Sequence, residues 1–144
     1  MKYLKYSLLV TVLVVLDQVS KYIFTGKNTS LFGFVSFTYA ENTGAAFSLF
    51  QNQNFTLIIV SFLALGFVLY YLKSYPLALS LILAGLLGNL ADRIFFGFVR
   101  DFISVGNFPI FNIADSCNTI GIVLLLYAFW KEEKVNKASK PRKA

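Results

Sequence analysis

Residues 55–72 read FTLIIVSFLALGFVLYYL, eighteen residues without one charged side chain. A helix needs about 20 residues to cross the hydrocarbon of a bilayer, or a few fewer when flanking groups reach the interface. The run from Phe55 to Leu72 is therefore read as a transmembrane helix. Three further runs share its character: about Leu4 to Phe24 before it, Leu77 to about Phe96 just after it, and about Ile113 to Trp130 beyond. Apolar residues gather in these runs instead of alternating with polar ones, as the core of a soluble domain requires. Composition agrees, with 57% hydrophobic, 17% aromatic and only 14% charged residues. The expected fold class is membrane α-helical, with four transmembrane helices in a single domain over residues 1–130. A basic tail, 131–144, follows it.

Lysine and arginine set the orientation, because cytoplasmic flanks hold an excess of them close to the spans. With four alternating spans, one side receives Lys2, Lys5, Lys73 and the tail residues Lys131, Lys134, Lys137, Lys140, Arg142 and Lys143. The other side keeps Lys21, Lys27, Arg93 and Arg100. Both termini are expected in the cytoplasm. The tail is read as an orientation signal that favours anionic lipid, and no nucleic-acid partner is expected. The opening Met-Lys-Tyr-Leu-Lys resembles the start of a cleavable signal peptide, but no small-x-small site follows it, so the first helix is expected to be retained.

Between the first two spans, residues 25–54 hold Gly26, Gly33 and Gly44 among Phe34, Val35, Phe37, Thr38 and Tyr39. Glycines among aromatic and β-branched residues predict a small sheet, a β-cradle on the extracytoplasmic membrane surface. Gly33 and Gly44 suggest that the cradle moves as a gate; a cross-link fixing it to the helices with turnover unchanged would count against that. The opposite turn, Lys73-Ser74-Tyr75-Pro76, is too short to hold a site.

The chain has no histidine, which removes Ser-His-Asp and Cys-His machinery and the commonest zinc ligand. Cys117 is the one cysteine; it excludes an intramolecular disulfide and is read as helix packing. The charges inside the spans need a reason, since each costs at least about 2.5 kcal/mol on the mildest insertion scale. Asp17, Lys21, Asp92, Arg93 and Asp115 all fall near the outer ends of their helices, with Asp101 just beyond the third. Asp17 and Lys21 share a helix face and can pair. That pair fits a structural role fixing helix register as well as a role in a site. On the third helix Gly85, Asn89 and Asp92 recur at helical spacing with Arg93 beside them, and Gly85 and Gly88 allow a close neighbour.

The stretch 99–115 reads VRDFISVGNFPIFNIAD. Gly106-Asn107 between β-rich runs predicts a short extracytoplasmic β-hairpin, with Gly106 at the positive φ of a type II′ turn. Pairing outward sets Val105 against Phe108 and Asp101 against Asn112, and Pro109 limits it to a short edge ribbon. Asp115 lies one helical turn beyond Asn112, so its carboxyl can return to the level of Asp101. Two adjoining carboxylates share one proton and can hydrolyse a peptide bond without histidine. Such a pair also occurs in ion sites, and Asp115 alone also suits a helix N-terminus. A proton-coupled transporter would spread its charges through the bilayer depth. A Ser-Lys peptidase would need Lys21 neutral, against the pull of Asp17. A purely structural subunit would not need Asn89, Asp101, Asn112 and Asp115 to converge.

Five blocks carry a resemblance over nearly the whole chain: Asp17-Gln18-Val19-Ser20-Lys21, Asn42-Thr43-Gly44-Ala45-Ala46-Phe47, Gly88-Asn89-Leu90-Ala91-Asp92-Arg93, Val99-Arg100-Asp101-Phe102-Ile103 and Phe111-Asn112-Ile113-Ala114-Asp115. In this order the chain resembles the lipoprotein signal peptidase family, signal peptidase II. The resemblance implies an aspartic endopeptidase of the bacterial cytoplasmic membrane that needs neither metal nor organic cofactor. Its catalytic residues would be Asp101 and Asp115. Asn42, Gly44, Asn89, Arg93 and Asn112 would line and order the site, and Asp17 and Lys21 would brace it. The implied substrates are diacylglyceryl-modified prolipoproteins, cut on the amino side of the lipid-bearing cysteine by a monomer in contact with membrane lipid. One departure is Ala84, where the family motif often has glycine; a slightly tighter helix contact is expected there.

Overall fold

The computed structural model describes residues 3–44 and 51–139. Ala45-Ala46-Phe47 of the second block and the tail residues Lys140, Arg142 and Lys143 lie outside them. Four helices are long and apolar enough to cross a membrane. They are α1 (Leu4–Phe24), α2 (Asn54–Tyr71), α3 (Pro76–Phe95) and α4 (Ile113–Ser139). The strands are β1 (Asn28–Phe32), β2 (Val35–Asn42) and β3 (Val99–Val105).

The first three helices match the hydropathic runs to within a residue at each end. The fourth runs past Trp130 to Ser139, because Lys-Glu-Glu-Lys leaves the apolar window yet consists of good helix formers. At about 1.5 Å per residue its 27 residues reach about 40 Å, past a hydrocarbon core of about 30 Å.

Helix α3 is the centre of the bundle and packs against each of the other three. More than half of its membrane window is buried inside the protein, against 11–17% for the others. Small residues make this possible. A Cβ at Gly88 would sit 2.6 Å from Asp17 Oδ2 and 3.0 Å from Ala114 Cβ, so its hydrogen is what lets α1 and α4 close on α3. Gly85 meets Asn118 and the Ala114 carbonyl in the same way. Ala84 is buried, at 2% exposure, and Cys117 is buried in the packing as expected.

The sheet is antiparallel in the order β1-β2-β3. Residues 25–54 thus supply two strands, and the third comes from beyond α3. Asp101 pairs with Ala40 and Val99 with Asn42. Phe24 at the C-terminal end of α1 meets Phe37 at 4.0 Å and Phe102 at 5.0 Å, ring centre to ring centre, which pins the sheet to the helix ends.

Gly106 has φ +54°, and Phe108 donates its N–H to Val105 O at 3.0 Å, as the hairpin reading requires. The pairing beyond differs by one residue. Ile103, not Phe102, faces Phe111, and the N–H groups of Phe102 and Ile103 both reach the Phe111 carbonyl, at 3.1 and 2.8 Å. Pro109 has no N–H to continue the regular ladder, so the ribbon bulges. Asn112 therefore reaches Asp101 through its side chain and not through the ladder.

Candidate active site

Asp101 and Asp115 approach the same point from a strand and a helix. Asp101 points inward from the middle of β3 and is 2% exposed, while Asp115 in the first turn of α4 is half-buried. Asn112 joins them. Its Nδ2 donates to Asp101 Oδ1 at 2.6 Å, its backbone N–H donates to Asp115 Oδ2 at 3.1 Å, and its Oδ1 accepts the Asp115 N–H at 2.8 Å. The last two contacts form a capping box, with Asn112 as N-cap and Asp115 three residues on.

The remaining carboxylate oxygens are held by amides too. Asn42 Nδ2 donates to Asp101 Oδ2 at 3.0 Å from the diagonal position on β2. Asn89 Nδ2 donates to Asp115 Oδ1 at 2.8 Å, and Asn89 Oδ1 accepts from Asn112 Nδ2 at 3.1 Å. These contacts bring no cation onto the pair. The Asp101 carboxyl is pushed up to about 7, first by burial and then by the charge of Asp115, against the pull of the Asn42 and Asn112 hydrogen bonds. Near neutral pH this group carries a proton for part of the time.

Arg93 and Gly44 border the pair. Arg93 Nη2 donates to the Gly44 carbonyl at 3.1 Å and Gly44 N–H donates to Asn42 Oδ1 at 3.0 Å, so the loop after β2 is tied to the end of α3. Asn54 Nδ2 bonds the Arg93 carbonyl at 3.0 Å and draws in the start of α2. Among the described residues no group of three His, Cys, Asp or Glu side chains could hold a metal ion.

Asp17 and Lys21 pair at 2.8 Å, both 1% exposed, and they belong to a larger cluster. Lys21 Nζ also lies 3.4 Å from Asp92 Oδ2. Arg100 reaches both Asp92 oxygens, at 2.8 and 3.2 Å, and donates to Gln18 Oε1 at 3.0 Å. Asp17 Oδ1 accepts the N–H of Ala114 at 2.8 Å and so helps to cap α4 from α1. Sequence reasoning placed Asp92 and Arg100 in the right blocks but gave them no role. Their partnership depends on β3 folding back beside α3, and four buried charges that sum to zero were the available signal.

The family model for Signal peptidase (SPase) II matches residues 9–131. A lipoprotein signal peptidase of Streptococcus pyogenes serotype M1 is 40% identical over 92% of this chain and 97% of its own length. One from serotype M3 is 39% identical over the same shares. A bacterial membrane enzyme solved by the in meso method at 2.3 Å resolution superimposes with a TM-score of 0.87 and 32% identity, covering 97% of this chain and 94% of that one. A second, solved at 1.9 Å, gives 0.78 and 34%, covering 87% and 92%. On the match of its sequence, of its fold and of its length, the chain belongs to the signal peptidase II family.

Proposed function

We propose that Asp101 and Asp115 are the catalytic dyad with which this membrane aspartic endopeptidase removes signal peptides from prolipoproteins. The observation that carries this reading is the shared Asn112 clamp, which bonds one carboxylate by side chain and the other by backbone. Asp101, its carboxyl pushed up to about 7, supplies the proton. Asp115, at the N-terminal turn of α4 with a backbone N–H aimed at it, acts as the ionised partner. Asp115 takes a proton from water as the water oxygen attacks the scissile carbonyl carbon, and Asp101 gives its proton to the carbonyl oxygen. As the C–N bond breaks, the leaving amine takes the proton from Asp115 and a hydroxyl of the gem-diol returns a proton to Asp101, which leaves the acid product and restores the dyad.

The substrate class is prolipoproteins whose cysteine carries a diacylglyceryl group, cut on the amino side of that cysteine. The acyl chains stay in lipid, each methylene contributing about 0.8 kcal/mol, so the scissile bond is presented at the interface. The buried charges gather at the outer helix ends, which suits that depth. Both termini are read as cytoplasmic, from the lysine and arginine asymmetry, which puts the dyad on the extracytoplasmic side.

The test is release of the signal peptide from a diacylglyceryl-modified prolipoprotein by detergent-purified protein, followed by gel shift. Wild type should cleave, while folded Asp101→Asn and Asp115→Asn variants should not. Full release by either variant would sink the dyad.

A further inference from the structure

Among the described hydrogen bonds, Asn89 is the one residue whose side chain touches both a charged group of the cluster and a carboxylate of the dyad. Its amide has no freedom of orientation. Its Oδ1 accepts from Lys21 Nζ at 3.0 Å and from Asn112 Nδ2 at 3.1 Å. An ammonium can only donate. Asn112 has no choice either, because its own Oδ1 is committed to the Asp115 N–H. Turning the Asn89 amide over would set its NH₂ against two donors and its oxygen against the Asp115 carboxylate. The present arrangement instead leaves Nδ2 on Asp115 Oδ1 at 2.8 Å.

Lys21 does not need Asn89 for its own burial. Asp17 Oδ2 lies at 2.8 Å and Asp92 Oδ2 at 3.4 Å, and the Gly88 carbonyl at 3.4 Å offers another acceptor. Nor does the cluster add net charge beside the dyad, since Asp17 and Asp92 balance Lys21 and Arg100. Lys21 by itself still acts on the dyad by its charge, and its contact with Asn89 adds direction to that charge.

We infer that Lys21 is a positioning residue for the peptidase reaction: through Asn89 it fixes which end of an amide meets Asp115. It touches neither substrate nor the reacting atoms. The inference rests on the dyad reading for its effect on turnover, but the amide lock exists independently of it.

The experiment pairs Asp17→Asn with Lys21→Met, so that no carboxylate is stranded on α1 and the substituted amide oxygen can still accept the Ala114 N–H. Asp17→Asn alone is the reference. Two quantities are read on folded protein in detergent: the side-chain NH₂ signals of ¹⁵N-labelled Asn89, assigned with Asn89→Ala, and kcat and KM on a diacylglyceryl-modified prolipoprotein. Adding Lys21→Met should broaden or shift the Asn89 signals towards those of a free amide. It should lower kcat about 10²-fold, the scale of a misplaced catalytic group, with KM within about twofold. Lys21→Gln in the same Asp17→Asn background keeps a donor without the charge and should retain more turnover than Lys21→Met.

Unchanged Asn89 signals, a loss expressed in KM, or equal loss with Lys21→Gln and Lys21→Met would overturn the inference. Failure of the dyad reading shows up separately, as turnover by Asp101→Asn or Asp115→Asn.

Discussion

Two aspartate pairs lie side by side at one end of the helix bundle, and they are partnered in opposite ways. Asp17 and Asp92 face an ammonium and a guanidinium. Asp101 and Asp115 face the amides of Asn42, Asn89 and Asn112. A cation both neutralises and fixes a carboxylate, and the result is a joint between α1, α3 and β3. An amide supplies the hydrogen bond without bringing a charge into contact, so Arg93 and Lys21 act on the dyad only from beyond it. Burial, and after it the charge of Asp115, then push the Asp101 carboxyl up to about 7. On the dyad reading, the choice of partner thus decides whether an aspartate serves as a joint or as acid and base.

The largest effect should come from removing one acid of the amide-held pair. Asp101→Asn or Asp115→Asn should lower turnover by on the order of 10³-fold with the fold retained, measured as signal-peptide release beside thermal unfolding. Removing a cation from the other pair should do the reverse. Arg100→Met takes from Asp92 its closest cation, leaving Lys21 at 3.4 Å, and should cost about 3 kcal/mol of stability, read as a drop in the unfolding midpoint in detergent.

The third prediction concerns the sign of the stability change. A carboxyl raised by folding contributes stability that is present below its unfolded value, near 4, and lost as pH rises through about 7. Asp101→Asn should therefore unfold at a higher temperature than wild type at pH 8, the gap closing as pH approaches 4. Equal midpoints at pH 8 would mean that the dyad is not held against its charge. The smallest expected effect comes from making the two pairs alike. Asn42→Lys brings a cation to Asp101, so the alkaline limb of the pH–rate profile, expected near pH 7 in wild type, should move down. An unmoved limb would assign it to another group.

Much of this was legible in the chain, for identifiable reasons. The spans show because hydrocarbon demands unbroken apolar length, and Phe55 to Leu72 meets that demand without help from any partner. The positive φ of Gly106 was readable because a two-residue turn is local chemistry, whereas the ladder register beyond it slips by one residue and Asp101 meets Asn112 through side chains. The extension of α4 past Trp130 was missed by stopping where hydropathy stops, although helix propensity continues through Lys131 to Lys134. The pairing of β3 with β2 joins Asp101 to Ala40 across two intervening helices, and alternation within a strand says nothing about which strand lies beside it. The Asn112-x-x-Asp115 capping box was readable and went unread as such, because Asp115 was weighed alone as a residue favoured by the helix dipole. The charged cluster was half legible: Asp17 with Lys21 follows from spacing, while Arg100 with Asp92 depends on how the chain turns after α3.

The contact between Asp17 and the Ala114 N–H joins the first of these four helices to the fourth. Asp115, Asn112 and the Asn89 contacts that depend on them are all missing until α4 enters the bilayer. A nascent chain bearing only the first three spans holds Asp101 without a partner acid. On the dyad reading, the site is therefore complete only once α4 has joined the other three helices.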